Sequence, residues 1–125
     1  MNSYPTDDNS NRVRSVVDSL IGTEEADDIM IELMDSLTNT STSSPSVGKY
    51  YVFVYSAKTP NIQFDSNPLV AVTDVFEWGF RGINLHVGQY RNYTFNELVG
   101  QLYEVNPDEL SDVTELPFGN ITLNN

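Results

Sequence analysis

The sequence predicts an α+β protein, a helical N-terminal arm followed from Lys49 by one small, strongly curved β-barrel. Three observations carry this. Apolar residues before position 38 recur at helical spacing, whereas those after position 49 fall in short β-branched and aromatic runs. Between them lies an uncharged, Ser/Thr-rich stretch, the sharpest change of composition in the chain. The 125 residues amount to one ordinary domain, and one Trp, seven Tyr and six Phe supply the bulk that a small β core needs.

The arm comes first. Val13, Val16, Val17, Leu20 and Ile21 follow the i, i+3, i+4, i+7, i+8 pattern of one helix face, and Gly22 stands where a left-handed residue commonly ends a helix. Thr23 is placed to cap a second helix, with Glu24 and Glu25 at the positive end of its dipole. Ala26, Ile29, Met30, Leu33, Met34 and Leu37 repeat the stripe. The reading is an amphipathic helical hairpin with helices over about 11–21 and 24–37. Helices this short are marginal alone, below or near the ~12–15 residues an isolated helix needs. Their apolar faces require a further surface, either the chain's own β domain or another protein. Residues 38–48, TNTSTSSPSVG, read as a flexible linker, which places the domain boundary between 1–48 and 49–125.

The β domain is predicted element by element. YYVFVY (50–55) is a first strand, closed by a turn over 56–60, and Pro68 opens a second over 69–76. Gly79 and Gly82 bracket Phe80 and Arg81 as a turn or bulge that needs positive φ, and INLHV (83–87) is a third strand. Thr94 and Glu97 form a T-x-x-E capping box that introduces a helix running to about Tyr103. Asn106-Pro107 begins another turn or one-turn helix, and segments near 116–118 and 121–123 supply closing edge strands. Short strands, close in sequence and separated by glycine turns, favour an SH3-like barrel over an open sheet.

Charge narrows the function classes. Eighteen acidic residues against six basic ones give −12, a sign that phosphate backbones and anionic membranes repel. A basic protein partner, or plain solubility, suits this charge better; no nucleic acid and no membrane is expected, and self-association is left open. No apolar run approaches the ~20 residues of a membrane span. The opening residues lack the apolar stretch of a signal peptide, so the protein is expected to be soluble and to act where it is made. With no cysteine, disulfides, iron–sulfur clusters and thiolate zinc sites are ruled out, in keeping with a reducing compartment.

Catalytic and metal-binding signatures are missing from the sequence. The single histidine, His86, is read as a strand residue packed or hydrogen-bonded rather than acting as acid or base. Asp65, Asp74 and Glu77 show no metal-binding spacing, and Asp27-Asp28 and Asp108-Glu109 read as solvated or dipole-compensating charge. Gly79-Phe80-Arg81-Gly82 resembles a phosphate loop only superficially, because no GK[ST] follows. No catalytic residue, metal ligand or cofactor is expected. The most unusual composition is Trp78, Phe80, Arg81, Tyr90, Arg91 and Tyr93, aromatics mixed with two of the six basic residues. Such clusters are typical of interface hot spots and of base-stacking platforms, and equally of a small barrel's filling. With Leu33 and Met34 of the arm, these are the partner-binding candidates.

Residues 49–105 also resemble a family of small proteins encoded by tailed bacteriophages, especially T4-like phages of cyanobacteria. The resemblance is carried by FDSNPLV (64–70), GFRGINLH (79–86) and YTFNE (93–97), and looks like a recurring viral β-barrel signature. It covers about half the chain and implies a setting, virion or host cytoplasm, more than a mechanism. The function expected is thus a non-enzymatic phage structural or accessory protein that binds other phage proteins or a host protein. The alternative is an acidic nucleic-acid mimic that inhibits a host enzyme. A ribonuclease built on Arg81, His86 and Arg91 is the remaining possibility, since phosphodiester cleavage needs cations or an acid–base pair at the phosphate.

Overall fold

The computed structural model describes residues 5–22, 24–56 and 66–116, with the side chains of 5–10 not described. The chain is α+β. Helices α1 (Pro5–Ser19) and α2 (Ala26–Ser36) lead through a 3₁₀ turn at Thr38–Thr40 into a two-residue strand β1 (Ser41–Thr42). Strands β2 (Tyr50–Tyr55), β3 (Leu69–Val75), β4 (Gly79–Asn84) and β5 (Gln89–Thr94) follow. A 3₁₀ turn at Phe95–Glu97 then gives β6 (Leu98–Val105), and a second at Pro107–Glu109 runs into α3 (Leu110–Glu115). All six strands form one antiparallel sheet in the order β1-β6-β2-β3-β4-β5.

Alternation along β2 divides the interior in two. Tyr51 and Phe53 point to one face, where they join Val70, Val72, Phe80, Tyr93 and Leu102. Val52 points to the other, where it meets Leu69, Val105 and the buried stripes of α1 and α2. Both stripes fall as the helical spacing requires except at Ile21, which lies past the end of α1 and is exposed. Val13, Val16, Ile29, Met30, Leu33 and Leu37 are buried, and Val17, Leu20, Ala26 and Met34 pack against them. The arm therefore lies on this chain's own sheet.

The expected barrel is not closed. The turn at Phe95–Glu97 lifts the chain between β5 and β6, so these two strands do not pair and β5 remains a sheet edge. The sheet is nevertheless strongly curled. Irregular register between Val52 and Val54, and again between Val72 and Asp74, adds local twist. Phe53 on β2 meets Tyr93 on β5 edge to face at 5.3 Å, although two strands lie between them.

Several local expectations change. α1 begins at Pro5, earlier than its apolar stripe, with proline suited to a first turn that has no partner for its N–H, and ends at Ser19 rather than 21. Gly22 is left-handed at φ +98° but lies past the helix end. The Thr23 cap lies outside the described residues. Glu24 does the local work, its carboxylate accepting the backbone N–H of Ile21 (2.8 Å) and Gly22 (3.0 Å).

Gly79 and Gly82 are strand residues, not a reversal; the reversal is Glu77-Trp78, closed by the Phe76 N–H donating to the Gly79 carbonyl (2.8 Å). Strand β4 stops at Asn84, so His86 sits in the following turn. Residues 89–94 form a strand, β5. The helix expected through Tyr103 is strand β6, because Leu102 and Val105 are needed against the sheet's two interiors. Leu116 is buried behind α3 rather than in an edge strand, and the remaining segments at 117–123, like the turn at 57–60, lie outside the described residues.

The Ser/Thr-rich segment is tied down along its length. Ser41 and Thr42 pair with Tyr103 and Leu102, the Thr40 hydroxyl donates to the Glu104 carbonyl (2.9 Å), and the Ser46 N–H donates to the Tyr51 hydroxyl (2.9 Å). Glu109 is not surface charge. It is fully buried, completing a capping box with Asn106 and accepting two hydrogen bonds from Arg12 (2.7 and 2.9 Å).

Candidate interaction surface

Helices cover only part of the sheet's outer face. They lie over Val52, Leu69 and Val105, whereas among the described residues no helix packs extensively on the outward side of β4, β5 and the end of β3. Register and alternation assign the residues there. Arg81 stands opposite Asn92 and Ile83 opposite Tyr90 on the outer face, while Phe80–Tyr93 and Gly82–Arg91 face inward.

At the β3–β4 reversal two rings stack. Phe76 and Trp78 lie parallel, 5° apart in plane with centroids at 4.9 Å, and both are exposed, Trp78 by 47% and Phe76 by 36%. Rings joined in this way normally seek burial, and here the pair stays partly exposed. Arg81 places its guanidinium carbon 5.8 Å from the centre of the Phe76 ring and donates from Nε to Asn92 Oδ1 (3.2 Å). Tyr90, 63% exposed, extends the surface along β5.

The eight partner-binding candidates sort accordingly. Trp78, Arg81 and Tyr90 share the outer face. Phe80 and Tyr93 stack at 5.4 Å inside the curled sheet and are buried, so they fill the core. Arg91 is half-buried on the inner side and donates to Gln89 (3.2 Å). Leu33 is buried and Met34 packs beside it against the sheet. Phe76 and Asn92 complete the surface and were passed over in the sequence. Phe76 was hidden at the end of an apolar run, and its pairing with Trp78 depends on the two-residue reversal.

The strands separate Arg81 and Arg91 to opposite faces, and His86 lies in the turn beyond them. The histidine is half-buried, and burial lowers its pKa from 6.5 to about 4, leaving it neutral near pH 7. Its backbone N–H donates to the side chain of buried Asn84 (2.9 Å), which shapes the turn. Tyr55 joins the rim of the inner core: its hydroxyl donates to Glu97 (2.9 Å) and accepts from the Thr94 N–H (3.1 Å). Burial, the largest cause, raises its pKa. Among the described residues no group of three His, Cys, Asp or Glu converges as a metal site, and no helix is long and apolar enough to cross a membrane.

No family model matches the chain, and no significant match is found among curated proteins or solved structures.

Proposed function

We propose that this protein is a non-enzymatic interaction module, a structural or accessory component of a phage particle, and that it binds another protein through the uncovered face of β3, β4 and β5. The observation that carries the binding role is the exposed Phe76–Trp78 stack with Arg81 over the Phe76 ring, and exposed Tyr90 farther along the same side of the β4–β5 pair. Aromatic and arginine side chains on a rigid sheet are the usual anchors of protein interfaces. The phage setting rests on the resemblance of residues 49–105.

The same reading treats strands β2 to β6 as SH3-like, with α1 and α2 as a hairpin laid on their outer side. Support comes from the order β6-β2-β3-β4-β5, the 3₁₀ turn between the last two strands and the aromatic interior. A second reading, an acidic nucleic-acid mimic, is favoured by one feature. Glu25, Asp27, Asp28, Glu32 and Asp35 are all exposed along α2 and its start.

Quantitative mass spectrometry of gradient-purified particles of a phage encoding this chain separates the two. A fixed copy number per particle is the expected result. Absence from particles, with abundance in infected cells, would overturn the virion assignment in favour of an intracellular inhibitor.

A further inference from the structure

In a chain with three acidic residues for every basic one, the ion partners of the cations are informative. Arg12 is held by Glu109, Arg14 by Asp18, Asp112 and Glu115, and Lys49 by Glu104. Arg81 has no carboxylate within ion-pair distance among the described residues. The nearest candidate by register is Asp74, directly opposite on β3, but its Oδ2 accepts the Thr73 hydroxyl (3.0 Å). Arg81 is instead positioned by groups that do not neutralise it, the Phe76 ring and the Asn92 amide oxygen. Among the described residues only its Nε is used, which leaves the fork of terminal nitrogens beside the exposed Phe76–Trp78 plate for a further acceptor.

Resting on the interaction-module reading above, we infer that this face recognises an acidic peptide segment of its partner protein. A carboxylate meets the Arg81 fork, and an adjacent apolar or aromatic side chain lies on the Phe76–Trp78 plate. A guanidinium already fixed by stacking loses little freedom when it binds a carboxylate through two hydrogen bonds. One carboxylate also suits the molecule's electrostatics better than a nucleic acid strand. Each further phosphate would add repulsion from a chain of charge −12.

The test is to pan a random peptide library against the full chain. Affinities of the enriched peptides are then measured for wild type, Arg81→Gln, Arg81→Lys and Trp78→Ala, with NMR shift mapping of the contact. Enrichment of Asp or Glu next to Leu, Phe, Tyr or Trp is expected. Arg81→Gln should weaken binding by about tenfold to a hundredfold, as for loss of a charged hydrogen-bonded pair, and Arg81→Lys should recover part of it. Peptides without acidic residues, bound on the Phe76–Trp78 face and indifferent to Arg81→Gln, would overturn the acidic-segment inference and leave the interaction reading standing. Shifts confined to other faces, or no enriched peptide, would overturn both. Arg81-dependent binding of oligothymidine, tighter than of any peptide, would assign the site to phosphate and overturn the inference.

Discussion

Glycines 79 and 82 differ from glycines 22, 48, 88 and 100 in why they are glycine. The latter four have positive φ and open space around them. Gly79 and Gly82 sit in β4, where a Cβ would run into the backbone oxygen of Tyr93 at the first position and that of Ala71 at the second. They permit close approach of neighbouring chain, not reversal. Gly79→Ala should therefore destabilise the fold by about 3 kcal/mol, the upper range for overpacking, and Gly48→Ala by only about 1 kcal/mol. Urea unfolding of the two variants measures the contrast, and equal losses would show that backbone φ governs both. From the sequence, glycine spacing pointed to a special backbone at 79–82 but could not distinguish turn from crowding. That distinction depends on Tyr93 and Val70, which neighbouring strands bring in. The same alternation decides which candidate residues face outward. It hides Phe80 and Tyr93 and exposes Arg81, and the sequence reading missed it because 79–82 is taken there as a turn, 83–87 as the strand, and 89–93 is given no element.

The helices were legible because their stripes are local; the clamp that docks them was not. Arg12 and Glu109 are 97 positions apart, and neither is distinguished by its neighbours. Arg12 donates to Glu109, to Asn39 Oδ1 (2.9 Å), to Thr40 Oγ1 (2.8 Å) and, more weakly, to the Glu104 carbonyl (3.4 Å). One guanidinium thus joins α1, the turn after α2, the end of β6 and the start of α3. Breaking a buried pair strands a charge, so Arg12→Met should cost about 3–5 kcal/mol, whereas Arg12→Met with Glu109→Leu should cost clearly less than the sum of the singles. Thermal unfolding of the double-mutant cycle reads this directly, and additive losses would show that the two residues act separately. The T-x-x-E pair at Thr94 and Glu97 shows the converse, a legible motif with a different use. Its side chains do meet (2.7 Å), but around Tyr55 at the rim of the sheet, and only a 3₁₀ turn follows.

At the level of the whole molecule, one curled sheet carries an aromatic interior on one face and the helical arm on half of the other. The covered half explains why apolar helix stripes exist in a chain this small, and why the Ser/Thr-rich segment is stitched to β6 rather than free to extend. The other half, on which no described helix packs extensively, is the face proposed above for a partner. The sequence indicated an aromatic and arginine-rich region but not its geometry, because Phe76, Trp78 and Arg81 converge only across the hairpin.

The most direct test of this account is photo-cross-linking in assembled phage particles, with Tyr90→p-benzoylphenylalanine on the uncovered face and Ile31→p-benzoylphenylalanine on α2 as the comparison. Both positions are exposed, by 63% and 60%. The account predicts one defined cross-linked partner from position 90 and none from position 31. A partner captured only from position 31 would contradict it and place the interface on the acidic helical side.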